Sequence, residues 1–316
     1  MCFIVFLLNL ACCAFASDYH FIVASDGSGD FRTVQEAINA VPDFRKNETK
    51  IFIKKGIYKE KLVLATSKIH VTFVGEDRDK TILTYDDFAS KKNRFGEEVG
   101  TTGSTSFFVF GDDFRAENIT FENSSGPVGQ AVAVRVDGDM VAFVNCRFLG
   151  FQDTLYPHGE KSRQYYKKCY VEGTVDFIFG WSTAVFDRCT IVCKDQGFIT
   201  APSTNEGTTF GFVFLDCKIT GDAEDASFYL GRPWRPFGRS AFIRCDLGKV
   251  INPEGWHNWD KPDAEKTTYF AEYKNTGVGA STEKRVKWSH QLTYEEAAGY
   301  TPEKILGEWV KRFSSQ

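Results

Sequence analysis

One short frame recurs down the chain and constrains its fold more than any other feature. It is a polar or basic residue, then Cys, one further residue and usually an apolar one: Asn145-Cys146-Arg147-Phe148, Lys168-Cys169-Tyr170-Val171, Arg188-Cys189-Thr190-Ile191, Asp216-Cys217-Lys218-Ile219 and Arg244-Cys245-Asp246-Leu247. Asn118-Ile119-Thr120-Phe121 carries it one step earlier with Ile in place of Cys, and Val71-Thr72-Phe73 is a weaker, earlier member. Each copy alternates apolar and polar positions, which is the period of a strand. A strand returning every 20 to 28 residues, with Gly- and Asn-containing turns between, predicts a solenoid whose coils stack on one another. Free Cys packs as a small hydrophobe, so Cys above Cys reads as a packing ladder, with disulfides between some neighbours as the alternative. Val, Ile, Phe and Thr dominate these segments and no 3.6-residue period is sustained, which argues against helical repeats. Residues 33–41 (TVQEAINAV) predict a short amphipathic helix able to cap the N-terminal end of the stack, and residues 292–298 and 303–312 read as helical at the other end.

Nine Cys are present, but Cys2, Cys12 and Cys13 fall in the apolar run of residues 1–16. That run ends in Ala14-Phe15-Ala16 and reads as a signal peptide with an A-x-A cleavage site; it is short for a membrane span, which needs about 20 residues. The expectation is an exported protein, extracellular or periplasmic according to host, free of the membrane once the leader is removed. No linker or composition shift divides residues 17–316, which predicts one elongated domain acting as a single chain. A formal net charge of -4 without a basic block argues against nucleic acid as partner. Thirty Phe must be stacked inside or displayed to a ligand.

The repeat also serves as a ruler. Asp153 lies seven residues after Cys146 and Asp176 seven after Cys169, so they share one phase of consecutive coils. Stacked strands are about 4.8 Å apart, which sets the two carboxylates side by side. Both cannot ionise comfortably at that spacing: one pKa rises while a cation holds the other down, giving an acid and a nucleophile, or an acid and a base. Stacked Asp also decorates solvated solenoid faces, but here each Asp sits among Gly and large apolar residues. Gln130, Arg232, Trp234 and Tyr156 supply amide donors, a fixed cation and aromatic platforms. No G-x-S-x-G elbow, H-E-x-x-H or P-loop occurs, and the five His are isolated, so no metal site or cofactor is expected.

Residues 54–60 (KKGIYKE), 129–133 (GQAVA), 150–156 (GFQDTLY), 173–180 (GTVDFIFG) and 229–234 (YLGRPW) resemble, in order, the signature blocks of the pectin methylesterases (pectinesterases). The resemblance implies a right-handed parallel β-helix, an all-β fold with the short N-terminal capping helix. It further implies hydrolysis of the C6 methyl ester of galacturonate in methylated homogalacturonan, without metal or organic cofactor. By the same resemblance Asp176 stands at the nucleophile, Asp153 at the general acid and base, Gln130 and Gln152 at the oxyanion amides, and Arg232 at the partner of the nucleophile. Trp234 and Phe107 match groove aromatics; Phe177 and Tyr156 are further substrate-contact candidates equally readable as packing. No inhibitor-like segment precedes the catalytic blocks, so self-inhibition in cis is not expected. Residues 86–103 and 157–162 lie near the presumed groove without a readable pattern.

Two other readings compete. A β-helix lyase would call for a Ca²⁺-binding Asp cluster, and a polygalacturonase for carboxylates set for glycosidic cleavage. A non-catalytic carbohydrate-binding protein on the same scaffold would need Trp234 and the ladder but not both aspartates, both glutamines and Arg232.

Overall fold

Each copy of the recurring frame is a corner. Asn118, Asn145, Lys168, Arg188, Asp216 and Arg244 all have left-handed backbone, with φ between 52° and 56°. The residue that follows, Ile119 or one of five Cys, is buried, and the next one opens a new strand. The frame is therefore not strand throughout, as its alternation predicts, but a two-residue turn followed by a strand. Val71-Thr72-Phe73, the weak member, belongs to a strand on the other side of that turn, Val71–Gly75.

The computed structural model describes residues 19–313, and the predicted leader lies outside them. Its strands form three sheets of eleven, eight and seven strands, here A, B and C, visited in that cyclic order by successive coils. Every strand pairs in parallel with the equivalent strand of the coils before and after it, as Val141–Val144 does with Arg163–Lys167 and Thr183–Asp187 with Phe212–Leu215. This is a parallel β-helix, and the predicted solenoid is present with its coils in the expected order.

Register carries like side chains into columns. Phe143, Tyr166, Phe186, Phe214 and Phe242 are aligned across sheet A. Their rings stack at 5.2, 4.6, 4.6 and 4.3 Å within 8° of parallel. Each fully buried aromatic contributes about 1.5–3 kcal/mol, so this column is a main source of cohesion between coils. Four of the thirty Phe lie in it, and others, among them Phe73, Phe114, Phe121 and Phe148, are buried elsewhere in the same core. Beside that aromatic column runs the column of five corner Cys; these and Cys193, which ends the strand Thr190–Cys193, are all buried and none is in a disulfide. Burial pushes the Cys146, Cys189 and Cys245 thiols well above their ordinary range, whereas hydrogen bonds from Cys189 and Cys245 draw Cys217 down against its burial.

Both ends are closed. Helix α1, Val34–Ala40, starts at Thr33 with a capping box to Glu36 and buries Val34, Ala37 and Ile38 over the N-terminal end. At the C-terminal end Trp256 stacks on Phe270 at 4.3 Å, and a buried Arg285–Glu272 pair at 2.8 Å lies beside them. The outer face of sheet A is apolar and covered by the last segments: Tyr294–Ala297, Pro302–Leu306 and a 3-10 turn at Glu308–Phe313. The continuous helix expected over residues 303–312 is interrupted at Gly307, whose φ is 97°. No helix among the described residues is long and apolar enough to cross a membrane.

Candidate active site

Sheet C faces outward with a row set by alternation and register. Phe108 aligns with Arg135, Arg135 with Tyr156, and Phe179 with Ala201. The intervening residues, Val134, Leu155 and Ile178, point into the core. Beside this row, the connections from sheet B to sheet C supply the polar groups. Asp153 and Asp176 both sit there with left-handed backbone, φ 65° and 51°. Asp is among the residues that tolerate that conformation, and the reversed turn lifts each carboxyl off the sheet edge. The Asp153 amide donates to the Val175 carbonyl at 3.1 Å and the Leu155 amide to Phe177 at 2.8 Å, so the two aspartates are adjacent rungs of one ladder.

Their surroundings separate them. Asp176, 6% exposed, receives a bidentate pair from Arg232: Nε to Oδ1 at 2.9 Å and Nη2 to Oδ2 at 2.7 Å. The guanidinium is itself clamped between the rings of Phe198 and Trp259, 3.8 and 3.7 Å from their centroids. Asp153, 7% exposed, has no such partner among the described residues. Burial first, and then the neighbouring Asp176 charge, push its carboxyl well above the usual range, against the pull of Arg232. Burial raises Asp176 as well, but the hydrogen bonds and charge of Arg232 oppose it. Asp153 therefore holds its proton to higher pH, and Asp176 is the one that ionises first.

A cleft of about 550 Å³ opens over both carboxyls. Gln130 and Gln152 line it, and their carboxamides make no hydrogen bond within the described residues. Tyr156 and Phe179, stacked at 4.0 Å, form the floor, with Trp234 and Trp259 packed against them. Burial pushes the Tyr156 phenol up to about 12, so it stays neutral. The opposite wall is Val99 to Thr102, which gives the unread residues 86–103 a place. The buried Asn123 amide holds that wall, donating to the carbonyls of Asp87, Ser104 and Val132 at 2.9, 3.2 and 3.2 Å.

The structure thus brings Asp153, Asp176, Gln130, Gln152, Arg232, Trp234 and Tyr156 into one cleft. Phe107 and Phe177 are not in it. Phe107, 1% exposed, is level with the inward-facing Val134 and stacks between Phe73 and Phe121 in the core. Phe177 is fully buried and meets Phe228 edge-on. Phe198, Phe179 and Trp259 escaped sequence reasoning. Counting one more coil beyond Asp176 reaches Phe198, which is level with it through the pairing of Ile178 with Thr200. Trp259 arrives from a non-strand segment with left-handed backbone at Trp259 and Asp260, for which the spacing gives no signal.

Among known proteins, residues 20–308 match the Pectinesterase family. Pectinesterase 31 of Arabidopsis thaliana is 46% identical over 284 residues, covering 88% of this chain and 89% of its own. Probable pectinesterase/pectinesterase inhibitor 58 of the same plant is 40% identical over 90% of this chain, which spans 51% of that relative. Pectin methylesterase from carrot superposes with a TM-score of 0.85 at 36% identity, over 94% of this chain and 96% of its own. A pectin methylesterase mutant in complex with a hexasaccharide gives 0.82 at 28% identity, over 93% and 98%. With sequence and fold alike matched through nearly all of the stack that carries the two aspartates, the chain belongs to the pectinesterase family.

Proposed function

We propose that Asp176 is the nucleophile and Asp153 the general acid and base in removal of C6 methyl esters from homogalacturonan. The observation that carries this reading is the asymmetry of the two carboxyls, one gripped by Arg232 and its neighbour buried without an ion-pair partner. An Asp176 oxygen attacks the ester carbonyl carbon, and negative charge develops on the carbonyl oxygen. Gln130 and Gln152 are the donors available to that oxygen, each worth about 3 kcal/mol in the transition state when well placed. As the carbon–methoxy bond breaks, Asp153 gives its proton to the departing oxygen and methanol leaves. The acyl group is then an anhydride on Asp176. Asp153, now a carboxylate, takes a proton from water, whose oxygen adds to the acyl carbon. The acyl bond to Asp176 breaks, restoring both aspartates and releasing a galacturonic acid carboxyl group, which gives its proton to solvent.

Aromatic faces suit sugar rings, and the hexasaccharide complex of a relative supports a polysaccharide lying along Tyr156 and Trp234. The leader at residues 1–16 and the cell-wall location of pectin support export of a single chain spanning 17–316. Methanol release from highly methylated pectin tests the reaction. Asp176→Ala is expected to fold as the parent does and to lose nearly all turnover. Full activity in that variant would overturn the assignment, whereas new reducing ends or unsaturated products from the parent would favour a polygalacturonase or a lyase.

A further inference from the structure

The column that carries the two aspartates does not end with them. Asp153 and Asp176 are adjacent rungs, and the pairing of Ile178 with Thr200 and of Phe198 with Tyr229 continues the same phase into the next two coils. The column therefore runs Asp153, Asp176, Phe198, Tyr229: two carboxyls followed by two rings. The rings stack 5.4 Å apart within 15° of parallel. Both are half-buried on the outer face of sheet C, apart from the hydrophobic core, and neither lines the cleft over the carboxyls.

What Phe198 meets is the guanidinium of Arg232, for which its ring and that of Trp259 are the two jaws of a clamp. The jaws are tied together from outside. His257 meets Phe198 and Tyr229 edge-on, with centroids 5.6 and 5.3 Å away, and its Nδ1 accepts the Trp259 amide at 2.9 Å. The Tyr229 hydroxyl donates to Glu254 at 3.3 Å, which anchors the far end of the stack. A long side chain held by a carboxylate alone can swing about it. Two ring faces fix its plane instead, so that both N–H groups stay aimed at Asp176.

We infer that Phe198 is a positioning residue: with Tyr229 and His257 behind it, its ring fixes the plane of Arg232 and so holds the Asp176 carboxylate ready for attack. The inference rests on the nucleophile proposed above. The charged and titratable groups around that carboxyl are Arg232, Lys261 and Asp153, and those around the brace are His257, Tyr229 and Glu254. Burial pushes the Asp176 carboxyl up, and the hydrogen bonds of Arg232 are the largest influence against it, followed by the charges of Arg232 and Lys261. Loosening Arg232 lets burial prevail. The carboxyl then keeps its proton to higher pH, and fewer molecules carry an ionised nucleophile on the acid side of the optimum.

The test measures kcat, KM and their pH dependence for methanol release in Phe198→Leu, which keeps an apolar side chain without the ring face, and in Phe198→Tyr, which restores the face. Phe198→Leu is expected to melt as the parent does and to lose kcat about tenfold on the acid side of the optimum, the worth of one cation–ring contact shielded from water. The loss shrinks as pH rises, and KM stays at the parent's value because the ring does not line the cleft. Phe198→Tyr keeps the parent's kcat and profile. Tyr229→Leu, which removes the ring behind, gives a smaller loss of the same form and serves if Phe198→Leu does not fold. A folded Phe198→Leu with the parent's kcat and profile, a loss equal at every pH, or a loss that Phe198→Tyr shares overturns the positioning role. So does a change confined to KM, which would make the ring a substrate contact. Full activity in Asp176→Ala overturns the nucleophile reading instead, whatever Phe198 does.

Discussion

At the scale of single residues, two aspartates in equivalent backbone positions are made unequal by what lies next to each. Arg232 opposes the burial that raises Asp176, whereas burial first, and then the Asp176 charge, push Asp153 further up. Activity should follow a bell-shaped pH profile. On the proposed mechanism the acid limb comes from protonation of Asp176 and the alkaline limb from loss of the Asp153 proton. Stability follows from the same shift with a definite sign. A carboxyl whose folded pKa is raised costs nothing below its unfolded value, about 3.9, and weakens the fold increasingly as pH climbs to the raised value. Asp153→Asn should therefore abolish turnover while raising the melting temperature, with a gain that is larger at neutral pH than at pH 4; thermal denaturation across pH checks it. Removing Asp176 brings no such gain, because Arg232 is left without its partner. Gln152→Ala should lower kcat by about 10²–10³-fold with little change in fold, as loss of one oxyanion donor does elsewhere, measurable by methanol release.

At the scale of the element, the corner sets what a sequence can reveal. Phase was legible because two-residue corners keep consecutive coils in step, and so the pairing of Asp153 with Asp176 could be counted from Cys146 and Cys169. Parity was not legible at Phe107, because Phe107, Phe108 and Phe110 leave no polar position to mark the outward face. Phe108, one place on, is the outward one, level with Arg135. The left-handed corner was hidden for a related reason: Asn and Asp announce it, but Lys168, Arg188 and Arg244 do not, and such residues occupy it at a cost of about 1–2 kcal/mol each. Lys168 is exposed, so its side chain contributes little packing. Lys168→Val should destabilise the protein by about 1–2 kcal/mol or more, since a branched Cβ suits that backbone least, while Lys168→Asn should be neutral or stabilising. Denaturant titration separates the two. The buried thiols make a second prediction at this scale: reductant should leave the melting temperature unchanged, and Cys146, Cys169, Cys189, Cys193, Cys217 and Cys245 should react with a thiol reagent only after unfolding.

At the scale of the whole molecule, a stack of coils depends on its two ends, where a row of unpaired backbone and apolar side chains would otherwise face water. The Arg285–Glu272 pair at the C-terminal end is 3% and 2% exposed at the side chains, and Arg285 also donates to the carbonyls of Pro253 and Gly279. Arg285→Ala leaves Glu272 buried without its cation and should cost about 3–5 kcal/mol. Loss of protection by hydrogen exchange should begin at that end of the stack rather than at the cleft. The corners differ in a way that matters beyond this molecule. From Arg115–Glu117 onward the turn from sheet A to sheet B is held to two residues, as in Asn118-Ile119, Cys169 with Lys168 and Cys245 with Arg244, whereas the turn after Val71–Gly75 takes five. The passage from sheet B to sheet C varies from the short link between Gly56–Lys59 and Leu62–Leu64 to the long excursion between Thr81–Tyr85 and Phe107–Val109. Gln130, Gln152, Asp153 and Asp176 all stand on these variable passages. One side of each coil is thus conservative architecture and another is open to revision. Descendants of such a chain can lengthen, trim or exchange the borders of the cleft, and with them the pectin pattern they prefer, while inheriting the ladder unchanged.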